Sequence, residues 1–364
     1  MLNTKLRSVR AIHKTLQARK YNFNSSENRI GFIYERGANL GDEIMLEAAQ
    51  TLISNSDILR FTRWENIFDR IGLSGKTYFK YVILGGGTLI HNENIDGMKM
   101  LQKAQNQGLP VWSLGTGVGS SCFGTSPSIG IDNWKPILSK FVKIGVRGPI
   151  SKSRLESIGI NNVKIVGDLA LSFTKNHLGK LSEKPKFAVN LRLPQSKKDQ
   201  NNENILKFNE VMVAISRLVE KGWTPVPIAM HPSDIEPLEH LLSGLSIKHS
   251  QVFLASTLDQ FFQLVNPCSF MIGVRLHSAV LSCCAGVPPL MIGYRDKCLD
   301  FMQSMNLEKW YVDFYTAKPN EISEKALLLS EQSLNLRPIV LSQSQLWKST
   351  LEEYALDTLK IMEK

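Results

Sequence analysis

The stretch FMIGVRLHSAVLSCCAGVPPLMI, residues 270–292, indicates the fold class. Its first apolar run is typical of a buried strand, a helical run begins near Leu276, and a second apolar run follows at Pro288–Ile292. A strand, a helix and a second strand in this order form a right-handed crossover, which makes the two strands parallel neighbours with helices covering the sheet. The stretch therefore predicts an α/β fold.

The same alternation extends along the chain on both sides of this stretch. The predicted strands are Ile30–Tyr34, Tyr81–Leu84, Val111–Leu114, Lys143–Val146, Lys164–Val166, Phe187–Leu191, Thr224–Ile228, Gln251–Leu254, Phe270–Ile272 and Pro288–Ile292. The predicted helices include Gly41–Leu52, Pro149–Ser157, Ile205–Val219 and a final helix at Gln343–Lys364.

Domain organisation follows from length and from one polar interruption. The chain has 364 residues, and a domain usually has about 100–200. The polar stretch Thr174–Lys186 separates two such patterns. We predict two Rossmann-like doubly wound domains facing a cleft, followed by a C-terminal helix. The predicted bounds are 1–27 for a basic amphipathic N-terminal segment, 28–176 and 177–335 for the two domains, and 336–364 for a C-terminal helical segment.

Composition excludes several protein classes. With 43% hydrophobic and 21% charged residues, the chain is neither disordered nor collagen-like nor a coiled coil. No segment reaches about 18 uninterrupted apolar residues, and the first residues lack the apolar core of a secretory signal. The five cysteines form no C-x-x-C pair and their number is odd, which argues against a disulfide framework. We therefore expect a cytoplasmic protein.

The first twenty residues carry six basic residues and no acidic one, within a net charge of +10 for the chain. Apolar residues recur there at the spacing of one helical face, at Leu2, Leu6, Val9, Ile12 and Leu16. A basic amphipathic helix suits the anionic inner face of the cell membrane. It equally suits a terminal helix packed on the body of the protein, and both interpretations stay open.

Common cofactor and metal motifs fail on spacing. Gly75-Lys76-Thr77 resembles the end of a P-loop, but Arg70 occupies the place of its first glycine. The run Gly115–Gly119 follows a strand, but Ser120 stands where the dinucleotide motif needs its third glycine. Histidines and cysteines show no zinc spacing, and basic residues are not interleaved with aromatic ones. We expect no metal, no cofactor and no nucleic-acid partner.

Two features of the second half indicate an anion site. Arg192 directly follows a predicted strand, which would place it at the carboxyl edge of a parallel sheet, where ligands of doubly wound folds bind. Gly273–Ser278 joins a strand to a helix, whose N-terminus offers free N–H groups and a positive dipole end. Arg275 adds a forked donor, and His277 adds a group that can move a proton near neutral pH. The alternative for Arg192 is a pairing with a nearby carboxylate.

Two features of the first half point to the same edge. Gly85, Gly86 and Gly87, followed by Thr88, end a strand and let the backbone approach a ligand, although they are also compatible with a tight turn. In the turn from Asn39 to Asp42, the carboxylate of Asp42 can accept a hydrogen bond from a hydroxyl. The alternative for Asp42 is a helix N-cap.

Seven short stretches in this order resemble the polysaccharide pyruvyl transferase family, from about Ile30 to about Phe314. They are Asn39–Asp42, Gly85–Thr88, Val146–Ser151 with Leu155 and Gly159, Val166–Asp168, Asn190–Arg192, His231 with Asp234, and Gly273–Ser278. Each stretch is weak by itself, and the triplet Arg275-Leu276-His277 is the most specific.

The resemblance implies a fold similar to that of GT-B glycosyltransferases, with the active site between the domains. It implies phosphoenolpyruvate as the donor, whose three-carbon unit becomes a ketal on two hydroxyls of a sugar in a polysaccharide or lipid-linked glycan. Phosphate is released, no cofactor is implied, and the product would serve exopolysaccharide biosynthesis. The donor-recognising residues of the family carry over to Arg192, Arg275, Leu276 and His277.

As a mechanistic hypothesis, His277 is the leading acid–base group. Secondary candidates for deprotonating or positioning the acceptor are Asp42, His91, Asp168, His231 and Asp234. Two rival functions stay open. One is a nucleotide-sugar glycosyltransferase of the same fold, with Glu236 or Asp296 binding the ribose, and the other is a non-catalytic glycan-binding scaffold.

Overall fold

The computed structural model describes residues 29–34, 39–53, 56–61, 79–119, 131–192, 202–245 and 251–362. The predicted amphipathic segment at 1–27, and with it the proposed membrane contact of residues 1–20, lies outside these described residues. The domain bounds stay a prediction, whereas the α/β class with two parallel sheets is confirmed.

The first sheet contains seven strands in parallel pairing. They are β1 (Arg29–Ile33), β2 (Asp57–Arg60), β3 (Tyr81–Leu84), β4 (Gly87–Ile90), β5 (Val111–Val118), β6 (Ile144–Val146) and β7 (Val163–Ile165). The order is β2-β1-β3-β5-β6-β7, and β4 pairs with β5 off this path. Its helices are α1 (Leu40–Leu52), α2 (Ile95–Asn106), α3 (Lys135–Leu138) and α4 (Pro149–Ser157).

The second sheet contains six parallel strands in the order β10-β9-β8-β11-β12-β13. They are β8 (Lys186–Asn190), β9 (Thr224–Ala229), β10 (Phe253–Leu254), β11 (Phe270–Gly273), β12 (Pro289–Gly293) and β13 (Tyr311–Asp313). The helices are α5 (Asn202–Glu220), α6 (Ile235–Gly244), α7 (Leu258–Val265), α8 (Leu276–Cys284), α9 (Asp296–Ser304) and α10 (Glu321–Met362). This order is that of dinucleotide-binding folds, and it reverses direction between β8 and β11.

Burial explains why the sequence of residues 270–292 predicts a strand, a helix and a second strand so clearly. Every residue of β11, α8 and β12 is buried, so this crossover forms the centre of the second half. A helix that is apolar on nearly all sides must be covered on all sides. Here the sheet and α10 cover it, and the Ser344 hydroxyl on α10 donates to the Cys283 carbonyl at the end of α8 (2.9 Å).

Helix α10 is much longer than the predicted final helix, because it begins at Glu321 and continues through Pro338. A proline inside a helix removes one backbone hydrogen bond, so the sequence favours a break there. Buried residues on both sides of the proline, including Leu329 and Val340, hold the helix against the second half. Its far end reaches the first half, where the rings of Tyr354 and Trp112 lie 5.9 Å apart.

Candidate active site

The site lies where the second sheet reverses strand order, at the carboxyl ends of β8 and β11. Asn190, the last residue of β8, is fully buried and joins the parts together. Its side-chain oxygen accepts from the Arg275 backbone N–H (3.2 Å), and its Nδ2 donates to the Asp234 carboxylate (3.2 Å). Asn190 therefore connects the segments that carry Arg275 and Asp234.

Arg275 is buried and forms a forked ion pair with Asp234. Its Nε lies 2.9 and 2.7 Å from the two carboxylate oxygens, and its Nη2 lies 2.5 Å from Oδ1. The sequence did not predict this pairing, and it gives Arg275 a structural role beside any ligand role. Its Nη1 makes no hydrogen bond within the described residues, so one edge of the guanidinium stays available.

His277 lies in the first turn of α8 and is buried, and its Nε2 has no hydrogen-bond partner in the described part of the chain. Burial lowers its pKa to about 4, because the charged imidazolium loses its hydration. The charge of Asp168 opposes this shift, whereas Lys297, Arg147 and Arg275 add to it. The imidazole is therefore neutral at pH 7, and the charges of three cations and one carboxylate act on it.

Arg147 is the most informative residue that the sequence did not place in the site. It directly follows β6 and is 1% exposed, and its Nε donates to the Asp168 carboxylate (2.9 Å). Neither Nη has a hydrogen-bond partner among the described residues, and nor do the hydroxyls of Thr88 and Thr116. A buried polar group without a partner costs about 1–3 kcal/mol, and more when it is charged. These groups therefore point to a bound anion. The sequence feature that could have identified Arg147 is the one that identified Arg192, a cation directly after a buried strand.

A second group of cations surrounds Tyr294, which follows β12 and is 4% exposed. Arg192 donates from Nη1 to the Tyr294 hydroxyl (2.9 Å) and lies over its ring, with Cζ 5.4 Å from the centroid. Arg295 and Lys297 lie 5.7 and 5.9 Å from the same centroid. Each is within the range of a cation–π contact. The hydrogen bond between Arg192 and Tyr294 could not be derived from the sequence.

The turn at Asn39 brings the first half against His277. Asn39 is the N-cap of α1 and accepts from the Asp42 backbone N–H (3.1 Å), while the Asp42 carboxylate accepts from the Asn39 amide. The interpretation of Asp42 as the N-cap is therefore wrong, since Asn39 holds that position. Leu40 donates its N–H to the Met230 carbonyl of the second half (3.0 Å). A Cβ at Gly41 would lie 1.9 Å from Nδ1 of His277, so only glycine allows this approach.

The three consecutive glycines have packing reasons that the sequence did not reveal. A Cβ at Gly85 would lie 2.1 Å from the Phe32 ring, and one at Gly86 would lie 2.4 Å from the sulfur of Met45. Gly87 has φ +101° and starts β4, a strand that was predicted only as a glycine-rich turn. The run therefore lets α1 pack closely on the end of β3, and it leads into β4, which pairs with β5.

The two remaining predicted histidines lie in different surroundings. His231 accepts from the Ser233 N–H (3.0 Å), and burial, followed by the charge of Arg275, lowers its pKa. His91 follows β4 and lines a separate cavity of about 330 Å³ with Tyr34 and Glu93. Among the described residues, no group of three His, Cys, Asp or Glu side chains has the arrangement of a metal site. No helix in the described ranges is long and apolar enough to span a membrane.

Solved structures with the same architecture define the class of fold. An O-GlcNAc transferase from Thermobaculum terrenum matches with a TM-score of 0.52 and 11% identity, over 92% of this chain and 67% of that one. A glycosyltransferase from Rickettsia africae matches with a TM-score of 0.51 and 10% identity, over 93% and 100%. At such identities the likeness shows the fold alone, and this fold is GT-B-like.

The sequence itself matches the family model of polysaccharide pyruvyl transferases over residues 39–296, a range that contains Arg147, Arg275 and His277 and ends just before Lys297. The chain belongs to the polysaccharide pyruvyl transferase family, which is a family of transferases. No protein with a curated description matches the chain in sequence.

Proposed function

We propose that this protein transfers the three-carbon unit of phosphoenolpyruvate to two hydroxyls of a sugar, forming a ketal and releasing phosphate. The observation that carries the proposal is the set of cations around His277. Arg147, Arg275 and Lys297 all act electrostatically on its imidazole, whose Nε2 has no partner among the residues that the structure describes. A small donor with a carboxylate and a phosphate supplies the negative charges that such a set requires.

The reaction needs one proton delivered and two hydroxyl protons removed. Protonation of the donor's C3 makes C2 electrophilic, a sugar hydroxyl attacks C2, and the C2–O bond to phosphate breaks. A second hydroxyl then attacks C2 and closes the ketal. One hydroxyl proton balances the proton added at C3, and the phosphate carries the other. The arginines hold the carboxylate and the departing phosphate, which fixes the geometry and stabilises the leaving group.

His277 is the proposed acid–base group, and its environment suggests when it becomes charged. Burial, with a smaller contribution from Lys297, Arg147 and Arg275, lowers the pKa of the imidazole to about 4 in the free protein. A bound phosphate dianion neutralises those cations and favours the imidazolium. His277 therefore takes up a proton together with the donor and delivers it during the reaction.

The acceptor is proposed to be a sugar of a polysaccharide or of a lipid-linked glycan, bound from the first half of the chain. Asp42 is proposed to contact an acceptor hydroxyl, and the cavity beside His91 offers Glu93 and the Tyr34 ring for a further sugar unit. Residues 1–20 are proposed to hold the protein at an anionic membrane surface. The nucleotide-sugar alternative gains nothing from Asp296, because its carboxylate is bound by Arg154 (2.5 Å).

The test is incubation with phosphoenolpyruvate and a panel of sugar acceptors, with phosphate release and acceptor mass both measured. The expected product has gained one C₃H₂O₂ unit. Arg147→Ala should abolish both signals, because it removes the two Nη groups that are proposed to hold the donor. Arg217→Ala, an arginine substitution on α5 whose side chain contacts Asn320, should leave them unchanged. Binding of a nucleotide sugar in preference to phosphoenolpyruvate would contradict the proposal.

A further inference from the structure

Helix α4 has an N-terminal cap that comes from the other half of the protein. Gly148 at its N-cap position has no side chain to offer. The N–H groups of Ile150 and Ser151 donate instead to Oδ1 of Asp300, at 2.9 and 3.1 Å. The Ser151 hydroxyl donates to Oδ2 at 2.6 Å. A carboxylate at this position satisfies free N–H groups and is favoured by the helix dipole.

The connection continues from α4 into the end of β5. The Ser151 hydroxyl accepts from the backbone N–H of Val118 (3.0 Å), and Arg154 donates from Nη1 to the Val118 carbonyl (2.9 Å). Arg154 also donates from Nη2 to Asp296, the first residue of α9. Both backbone polar groups of Val118 are therefore bound by α4, and α4 is bound twice by α9.

This connection between α9, α4 and the end of β5 affects the site because Arg147 lies between α4 and the end of β5. Arg147 comes just before the capped helix, and its Nη atoms lie against Gly117, the neighbour of Val118, where a Cβ would come within 2.7 Å. Gly148 packs so closely on α9 that a Cβ there would lie 2.4 Å from Oδ1 of Asp300. Helix α9 also carries Lys297, which acts on His277. One carboxylate thus fixes the segment that presents Arg147 relative to the cations of the second half.

We propose that Asp300 is a positioning residue for the anion site. It acts through Arg147, by capping α4 across the interface between the two halves, and it does not contact the donor itself. Asp300 is 2% exposed and lies beyond the end of the family match at residue 296. Neither its exposure nor a family motif therefore identifies it as a functional residue. The inference rests on the proposed function, because the donor is the ligand that Arg147 would hold.

The test is a double-mutant cycle on phosphoenolpyruvate affinity, measured by titration calorimetry below the unfolding temperature of each variant. Asp300→Ala should weaken binding about tenfold or more, since a displaced Arg147 loses charge-assisted hydrogen bonds. In an Arg147→Ala background the same change should cost less than about twofold, because residues that act through one another are not additive. An equal loss in both backgrounds, or no loss in the single variant, overturns the proposal.

A matched control separates positioning from stability. Asp313 accepts two backbone N–H groups (2.9 and 3.0 Å) and a tyrosine hydroxyl (3.4 Å) at the end of β13. Asp313→Ala should lower the unfolding temperature in a similar way and leave phosphoenolpyruvate affinity within about twofold. A comparable loss of affinity in this control would show that the effect of Asp300 is general destabilisation, and would overturn the proposal.

Two further measurements keep the outcomes distinct. If Asp300→Ala does not fold, Asp300→Asn takes its place in the same cycle. The asparagine side chain keeps one oxygen acceptor for the N–H groups of α4 but lacks the negative charge. Failure of the wild-type protein to bind phosphoenolpyruvate would contradict the proposed function. Amide hydrogen exchange at Ile150 and Ser151 then tests the cap without any donor. Faster exchange in Asp300→Asn than in Asp313→Asn supports it, and equal exchange overturns it.

Discussion

Gly41→Ala should separate catalysis from stability in this protein. A Cβ at this position would lie 1.9 Å from Nδ1, 2.2 Å from Cγ and 2.5 Å from Cβ of His277. Since ordinary contacts begin at 3.4 Å, the imidazole must withdraw by roughly 1.5 Å, or α1 must move away from α8 by a similar distance. The clash includes Cβ of His277, so rotation of the ring alone does not relieve it.

The two expected magnitudes differ strongly. Overpacking costs about 1–3 kcal/mol, and alanine in place of glycine in a helix returns up to about 1 kcal/mol. The net loss should lower the unfolding temperature by only a few degrees. A misplacement of about 1 Å at a reacting group costs roughly 100-fold in rate. We therefore expect kcat/KM for phosphoenolpyruvate, measured by phosphate release, to fall by about two orders of magnitude.

The control is Gly244→Ala, at the end of α6, where the nearest atom to a new Cβ is the Met212 methyl at 3.7 Å. This variant should keep both its activity and its unfolding temperature. Wild-type kcat/KM in Gly41→Ala would refute the reasoning, because it would mean that the close approach of α1 to His277 has no effect on the reacting groups.

Three further outcomes follow from the buried charges. Arg275→Ala should destabilise the protein by about 3–5 kcal/mol in denaturant unfolding, since Asp234 stays buried without its partner. Adding Asp234→Ala should recover part of this loss. Unchanged stability of Arg275→Ala would contradict the ion pair. The pKa of His277 is about 4 in the folded protein and 6.5 in the unfolded chain. Between these pH values the unfolded chain binds more protons than the folded protein. The free energy of unfolding should therefore rise with pH across that window, by up to about 3 kcal/mol. His277→Gln should remove this rise. If the free energy of unfolding of His277→Gln and of the wild-type protein depends on pH in the same way, the lowered pKa of His277 is excluded as the cause. Tyr294→Phe should raise the KM for phosphoenolpyruvate roughly 3- to 10-fold, because Arg192 loses one hydrogen bond but keeps the ring; a larger fall in kcat than rise in KM would argue against a role in binding.

Much of the fold could be predicted because strand and helix signals are local. The strand Tyr81–Leu84 and the helix Pro149–Ser157 have the predicted bounds, and β8 and β11 differ by one residue at their ends. The errors have tertiary causes. The final helix was predicted to start at Gln343, whereas α10 starts at Glu321 and is held through Pro338 by buried residues on both sides of it. Strand β4 was missed because its pairing with β5 depends on a neighbour far along the chain.

The candidate site was predicted in part and for a similar reason. A cation that follows a buried strand is visible in the sequence, and this signal identified Arg192. Arg275 was identified from its place at the junction of a strand and a helix. The signal that identified Arg192 was also present at Arg147, but the strand there is only three residues long. The importance of Arg147 appears only from its Nη groups, which have no partner in the part of the chain that the structure describes. Tyr294 and Lys297 carry no comparable signal, since their role comes from the side chains that meet around them.

The amino-acid sequence by itself determined which segments are buried, in which order strands and helices alternate, and which cations stand at strand ends. Each of these depends on the polarity of near neighbours along the chain. Only the tertiary structure decided which polar groups are satisfied and which are left over. Arg275 is paired with Asp234, α4 is capped by Asp300, and both Nη atoms of the buried Arg147 lack a partner within the described ranges. The reason is physical: a buried hydrogen-bonding group takes its partner from whatever segment packs against it, and that segment is set by the meeting of the two halves.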